Sequence, residues 1–261
     1  MYLHHQESVE KLLEYFRPDP DVTAIILGGS VAKGLERSDS DIDAIIVVTP
    51  EKLQQLQAEG RRTECIFGYC TYPEGYFDIK YCDREFLEAA AEKGSEPARN
   101  AFLMARCLYT RDPEIPKLIA RIPVFQKHEQ SEKLLSFYAG YMLNSGYFWR
   151  MSGSDRYLRC RAAVDLVFFA YRMLLQEHEI LFPCHKSLVA TLKRLPDMEP
   201  LITQGKLLLE RMDDESKEEF CRLFKTRTRY QPPQDHSAVL SRYVTDHETW
   251  WYQARPLISE W

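Results

Sequence analysis

The chain has 261 residues, with 34 Lys and Arg against 39 Asp and Glu, a formal charge of −5 and a pI near 5.9. That length suits one large domain or two modest ones, and a 45% hydrophobic content excludes a disordered, collagenous or coiled-coil chain. A mean hydropathy of −0.40, with no unbroken apolar run of about 18 residues, excludes a membrane span; the acidic balance argues against nucleic acid as a partner, because that affinity comes from many cationic contacts.

The first residues, Met1-Tyr2-Leu3-His4-His5-Gln6-Glu7, hold no basic stretch leading into an apolar one, so the expectation is a soluble, cytoplasmic protein. Seven cysteines, at 65, 70, 82, 107, 160, 184 and 221, are odd in number and never spaced Cys-x-x-Cys. They read as reduced thiols, not as disulfides or a zinc site.

In chain order, Val9, Leu12, Leu13 and Phe16 recur at helical spacing until Arg17-Pro18-Asp19-Pro20 stops them, predicting a helix from Glu7 to Phe16. Val22 to Leu27 and Ile42 to Val48 are short β-branched runs bounded by turn formers, as buried strands are. A Gly-rich turn and a turn or two of helix separate them. Pro50 to Ala58 predicts a helix with proline in its first turn. Thr63 to Tyr72 and Tyr76 to Cys82 predict strands joined by Pro73-Glu74-Gly75; a helix from Arg84 to Lys93 follows, then an edge strand at Ala105 to Thr110 and a packed connection over 113–123.

From Lys127 onward the period is helical. Ser131 to Arg150, Ser154 to His178, His185 to Leu195, Met198 to Arg211, Glu215 to Thr226 and Ser237 to Tyr252 each predict a helix, broken at Gly153, Pro183, Pro196 and Pro232-Pro233. The change of period predicts an α+β chain in two domains, a small mixed sheet with helices over 1–122 and an all-α bundle over 123–261. Trp250, Trp251 and Tyr252 are expected in the apolar seam of that bundle, as are the aromatics of Phe137 to Trp149.

Chemistry concentrates in Gly28-Gly29-Ser30 and in Ser38-Asp39-Ser40-Asp41-Ile42-Asp43. Glycine at the end of a strand lets the backbone approach a ligand, and Ser30 with the following amides would stand at a helix N-terminus, where phosphate is favoured. Asp41 and Asp43, one residue apart where a strand starts, project to one face. Two such carboxylates repel unless a cation lies between them, and magnesium, which takes hard oxygen ligands beside phosphates, suits the place. Asp78, between Phe77 and Ile79, adds a third carboxylate if its strand lies beside the first. Gly29 and Gly34 have Walker-A spacing, but Leu35-Glu36 stands where Lys-Ser/Thr is required. Six of the histidines, His4, His5, His128, His178, His236 and His247, show no ligand spacing, and Lys33 and Arg37 fit either phosphate contact or a solvated helix face.

Gly28-Gly29-Ser30, the Asp41-Ile42-Asp43 strand and a later apolar-Asp-apolar strand at Asp78 resemble the polymerase-β-type nucleotidyltransferase superfamily over roughly residues 22–82, with Leu108-Tyr109-Thr110-Arg111-Asp112 similar to an edge-strand ending of bacterial members. The resemblance implies a nucleotidyltransferase fold, two magnesium ions held by Asp41, Asp43 and Asp78, and a nucleoside triphosphate, ATP above all, bound at Gly29 and Ser30. The compact first domain followed by helices is similar to small bacterial aminoglycoside and lincosamide nucleotidyltransferases.

Two residues of the helical half join the candidates. Asp165 interrupts the apolar run Ala162 to Phe169, so its carboxylate needs a partner: Arg159, Arg161 or Arg172, or, by the same resemblance, an acceptor hydroxyl whose proton it takes. Lys186 opens a helix after Phe182-Pro183, where it either reaches a triphosphate or is solvated. The expected activity is transfer of a nucleoside monophosphate to an acceptor hydroxyl with release of pyrophosphate. The acceptor is expected to be a small molecule; a protein side chain or a helical partner, as in toxin–antitoxin modules, is the alternative, and a non-catalytic nucleotide-binding scaffold the other.

Overall fold

Helix α1 (Leu3–Phe16) opens the chain in the computed structural model, which describes residues 1–252, 256–259 and 261. It starts before the predicted Glu7, because His4 and His5 carry no apolar period yet turn inward to bond carbonyls of a later loop. Strand β1 (Val22–Leu27), helix α2 (Gly29–Lys33), strand β2 (Ile42–Val48) and helix α3 (Pro50–Ala58) follow as the pattern predicts, α3 with Thr49 capping the Lys52 amide. Strand β3 covers only Thr63–Phe67; Gly68, at φ 83°, ends the extended run that the composition suggested through Tyr72. Then come β4 (Tyr76–Cys82), α4 (Arg84–Lys93), α5 (Glu96–Ala101), β5 (Arg106–Thr110) and α6 (Ile115–Arg121). Neither α5 nor α6 is predicted by periodicity, since each is too short to show a full period. The expected connection over 113–123 is therefore largely helical, with Pro116 in its first turn and Ile115, Leu118 and Ile119 buried.

Among the described residues the five strands form one mixed sheet in the order β3-β4-β2-β1-β5, with β2 and β4 parallel and the other pairs antiparallel. On one face Leu12 and Phe16 of α1 and Leu53 and Leu56 of α3 meet Ile25, Ile42, Ile46, Phe77 and Ile79. On the other, Leu87 of α4 and Ile115 and Ile119 of α6 meet Ala24, Ile26 and Val47. Coverage on both sides explains why β1 and β2 read as near-continuous apolar runs, each fully buried large side chain contributing roughly 1.5–3 kcal/mol.

Contacts within the chain divide it at Val124 into two units, Met1–Val124 and Phe125–Trp261. The second unit is helical: α7 (Gln130–Leu143) passes through a π-type turn into α8 (Trp149–Ser152), followed by α9 (Arg156–Glu177), α10 (Leu188–Leu192), α11 (Glu199–Arg211), α12 (Asp214–Lys225) and α13 (His236–Tyr243). Helix α9 is buried nearly all round from Ala162 to Gln176, the mark of a central helix. Arg172, fully buried on it, donates to the Ser259 carbonyl at 2.6 Å and to that of Trp261, its guanidinium lying over the Phe137 and Phe182 rings.

Trp261 is buried, 6% exposed with the Lys133 ammonium and the Arg242 guanidinium over its ring, whereas Trp250, Trp251 and Tyr252 do not take the buried place expected of them. Those three are exposed, Trp251 at 69% and Tyr252 at 82%. Apolar composition near the end of the chain did not distinguish them from Trp261; the anchoring of the last residues by Arg172 did. Among the described residues no helix is long and apolar enough to cross a membrane.

Candidate active site

The candidate site lies where β1 ends and β2 and β4 begin. Asp43 of β2 pairs in register with Asp78 of the parallel strand β4, so the two carboxylates stand side by side on one face, while Ile42 and Phe77 point into the core on the other. Asp41 directly precedes β2, and oxygens of Asp41, Asp43 and Asp78 all lie within 4.8 Å of one another. The three carboxylates that the sequence singled out are thus brought together.

Gly29 closes the site from the β1 side. Its φ is +62°, and a Cβ there would fall 1.8 Å from Asp43 Oδ2, so no other residue fits without displacing that carboxylate. The Gly28 amide donates to the Asp43 carbonyl at 2.9 Å, tying the turn to the same strand. Ser30 stands in the first turn of α2, whose leading amides have no helical carbonyl to pair with.

Tyr76, the first residue of β4, is a site residue that sequence reasoning missed: its hydroxyl donates to Asp41 Oδ2 at 2.9 Å. That bond and the negative charge behind it push the phenol up to about 12, so Tyr76 remains a donor at neutral pH. The two-residue spacing of Tyr76 and Asp78 was the available signal, since it sets both on one face of the strand. Lys80, next on that face, lies 3.9 Å from Asp78 with its ammonium in solvent. Lys33, at the end of α2, donates to the carbonyl and side-chain oxygens of Asn100. Arg37 lies outside the helix, in the following loop, bound to Asp39 in solvent.

The donor set suits a hard divalent cation. All three donors are carboxylate oxygens, the ligand type magnesium takes, and three like charges this close are relieved by a cation. Glycine at 29 keeps the Asp43 carboxylate clear of a neighbouring side chain.

Asp165 and Lys186 belong to the second unit. Of the three arginines considered for Asp165, Arg161 is its partner, one helical turn away with Nε 2.7 Å from Oδ2. The Asp165 side chain is only 18% exposed, and burial holds its pKa above the usual carboxylate value despite that arginine. It lines a cavity of about 590 Å³ with Phe168, Phe169, His185, Tyr243 and His247. His247 stacks on Tyr243 at 4.3 Å, and burial lowers its pKa to about 4, so the ring is neutral. Lys186 is exposed and follows His185 on a 3₁₀ turn.

Residues 9–88 match the family model described as a nucleotidyltransferase domain. The span holds Gly29, Ser30 and all three clustered aspartates. No curated protein matches the chain. Among solved structures, a nucleotidyltransferase-like protein from Exiguobacterium sibiricum is similar at 10% identity, over 97% of this chain and 81% of that one, with a TM-score of 0.46.

Proposed function

We propose that the protein transfers a nucleoside monophosphate, AMP first among the four, from a triphosphate to an acceptor hydroxyl, a reading supported by the match of residues 9–88 to the nucleotidyltransferase domain model. The observation that carries this reading is the cluster of Asp41, Asp43 and Asp78 beside Gly29 and Ser30. Those aspartates would hold magnesium, as two ions in this reading; when bound, the metal offsets charge developing on the phosphoryl oxygens. Gly29, Ser30 and the leading amides of α2 would bind the triphosphate and orient its α-phosphorus. The acceptor oxygen forms its bond to that phosphorus as the bond to the β-phosphate oxygen breaks, and pyrophosphate leaves. The hydroxyl proton passes to a carboxylate, Asp78 or Asp165 in this proposal, and Lys186 is assigned to the triphosphate as a point charge.

A small-molecule acceptor is the reading we favour; the helical unit by itself has a cavity beside Asp165 of about 590 Å³, within the span of roughly 300–1,000 Å³ common for small-molecule sites. Its aromatic walls suit the flat face of a ring, and its carboxylate suits a hydroxyl. Nucleic acid is left out of the reading because the formal charge is −5.

The test is pyrophosphate release from each of the four triphosphates with magnesium, against aminoglycosides, lincosamides and candidate protein acceptors, with Asp41→Asn as the control. Release that needs one acceptor and vanishes in the variant supports the transferase. A variant that keeps a sizeable fraction of wild-type turnover would overturn it. Magnesium-independent nucleotide binding without pyrophosphate release would favour a binding scaffold instead.

A further inference from the structure

Asp43 and Asp78 are fixed by the ladder between β2 and β4, but Asp41 precedes the strand and has no such support. It follows a loop without regular structure, 34–40, that leads from α2 towards β2. Side chains from outside hold the end of this loop. The Ser40 carbonyl, in the peptide joined to Asp41, accepts from His5 Nε2 at 3.1 Å and from the Tyr72 hydroxyl at 2.5 Å, and the Ser38 carbonyl accepts from His4 Nε2 at 3.0 Å. Two donors on one carbonyl use both of its lone pairs, which fixes the peptide plane in two directions.

The donors are themselves fastened. His5 is fully buried, and its ring meets those of His4 and Tyr72 at 4.3 and 5.0 Å. Thr71, beside Tyr72, donates to α1 through two bonds: its amide to Ser8 Oγ at 3.1 Å and its hydroxyl to the His4 carbonyl at 3.1 Å. Helix α1 and the loop 68–75 thus form a clasp on the residue before Asp41, while Tyr76 holds the Asp41 carboxylate itself.

We propose that His5 and Tyr72 are positioning residues for Asp41: through the Ser40 carbonyl they hold its peptide in the orientation that lets the carboxylate join Asp43 and Asp78 around a divalent cation. This inference rests on the metal-dependent transfer reading. It assigns to the first helix, outside the motif, a share in metal affinity.

The experiment is a Mn²⁺ titration of the full chain without nucleotide, following free Mn²⁺ by electron paramagnetic resonance, with the melting temperature recorded for each variant. Tyr72→Phe removes one oxygen, and His5→Phe removes the ring donor while keeping an aromatic in the cluster. Each is expected to weaken Mn²⁺ binding about tenfold, the usual scale for residues that orient metal ligands, while the melting temperature moves by no more than about 2 °C. His5→Gln, whose amide can still donate to the carbonyl, is expected to bind within about threefold of wild type on the same scale. Equal affinity in all variants would overturn the proposal, as would weakening that follows the melting temperature and is not rescued by glutamine. Wild-type protein that binds no Mn²⁺ would remove the metal site and this proposal with it. Wild type that binds Mn²⁺ with these differences but releases no pyrophosphate would overturn the transfer reading and leave the positioning role standing.

Discussion

Gly29 and Asp43 occupy adjoining space so closely that a methyl group on the glycine would fall 1.8 Å from a carboxylate oxygen of the aspartate. Gly29→Ala therefore combines an unfavourable positive φ with a collision against a candidate metal ligand. The expected outcome is a stability loss of about 1–2 kcal/mol and a fall in turnover of about a hundredfold or more, as when reacting groups are displaced by an ångström. Denaturant unfolding and pyrophosphate release measure the two; an alanine variant with wild-type turnover would mean that Asp43 need not stay where it is.

Asp43→Asn removes one of three like charges that stand together. Without metal the variant should melt at the same temperature as wild type or slightly above it, because repulsion is relieved. With magnesium its turnover should fall about a thousandfold or more, the several kcal/mol that metal-centred charge stabilisation supplies. The melting temperature of wild type, and not that of the variant, should rise on adding magnesium. A variant stabilised by magnesium as strongly as wild type would remove Asp43 from the ligand set.

Asp165 separates stability from function. Burial raises its pKa, so the proton is held more tightly in the folded state; stability from this group is present below the unfolded pKa and lost as pH rises through the folded one. Burial therefore works against the ionised carboxylate in the folded chain, and Asp165→Asn should leave stability unchanged or raise it slightly. If Asp165 takes the acceptor proton, the same variant loses about 10²–10⁴ in turnover. A variant that is destabilised and fully active would reduce Asp165 to the partner of Arg161.

His247 gives the helical unit an acid sensitivity. Its pKa is lowered to about 4 by burial, partly opposed by its contact with the Ser136 carbonyl and by the neighbouring Asp246. Between about 6.5 and 4 the unfolded chain binds a proton that the folded chain does not, so stability is full above the unfolded pKa and falls as pH drops. The shift corresponds to stability on the order of 3 kcal/mol. His247→Phe, which keeps a ring against Tyr243, should lose less stability than wild type between pH 7 and pH 4.5 in urea unfolding. Parallel losses would show that His247 titrates without burial.

Local pattern carried much of this protein. Val22–Leu27, Ile42–Val48 and Tyr76–Cys82 are legible as strands to the residue, because β-branched runs in the first two and an aromatic-rich alternation in the third, between turn formers, need no partner to be recognised. Gly29, Ser30, Asp41 and Asp43 were legible as a candidate site for the same reason: a strand, a glycine turn and a second strand place them within one short span. What the sequence by itself determined was therefore the elements and the chemistry each brings.

The tertiary structure decided which elements meet. The parallel pairing of β2 with β4 sets Asp78 beside Asp43, a register that no local period encodes. It set Tyr76 on Asp41, turned His5 and Tyr72 onto the Ser40 carbonyl, and buried Trp261 but not Trp250 or Trp251. Each of these depends on a partner more than thirty residues away. Such contacts are settled by packing and backbone pairing across the whole unit, and the order of residues within a single element leaves them open.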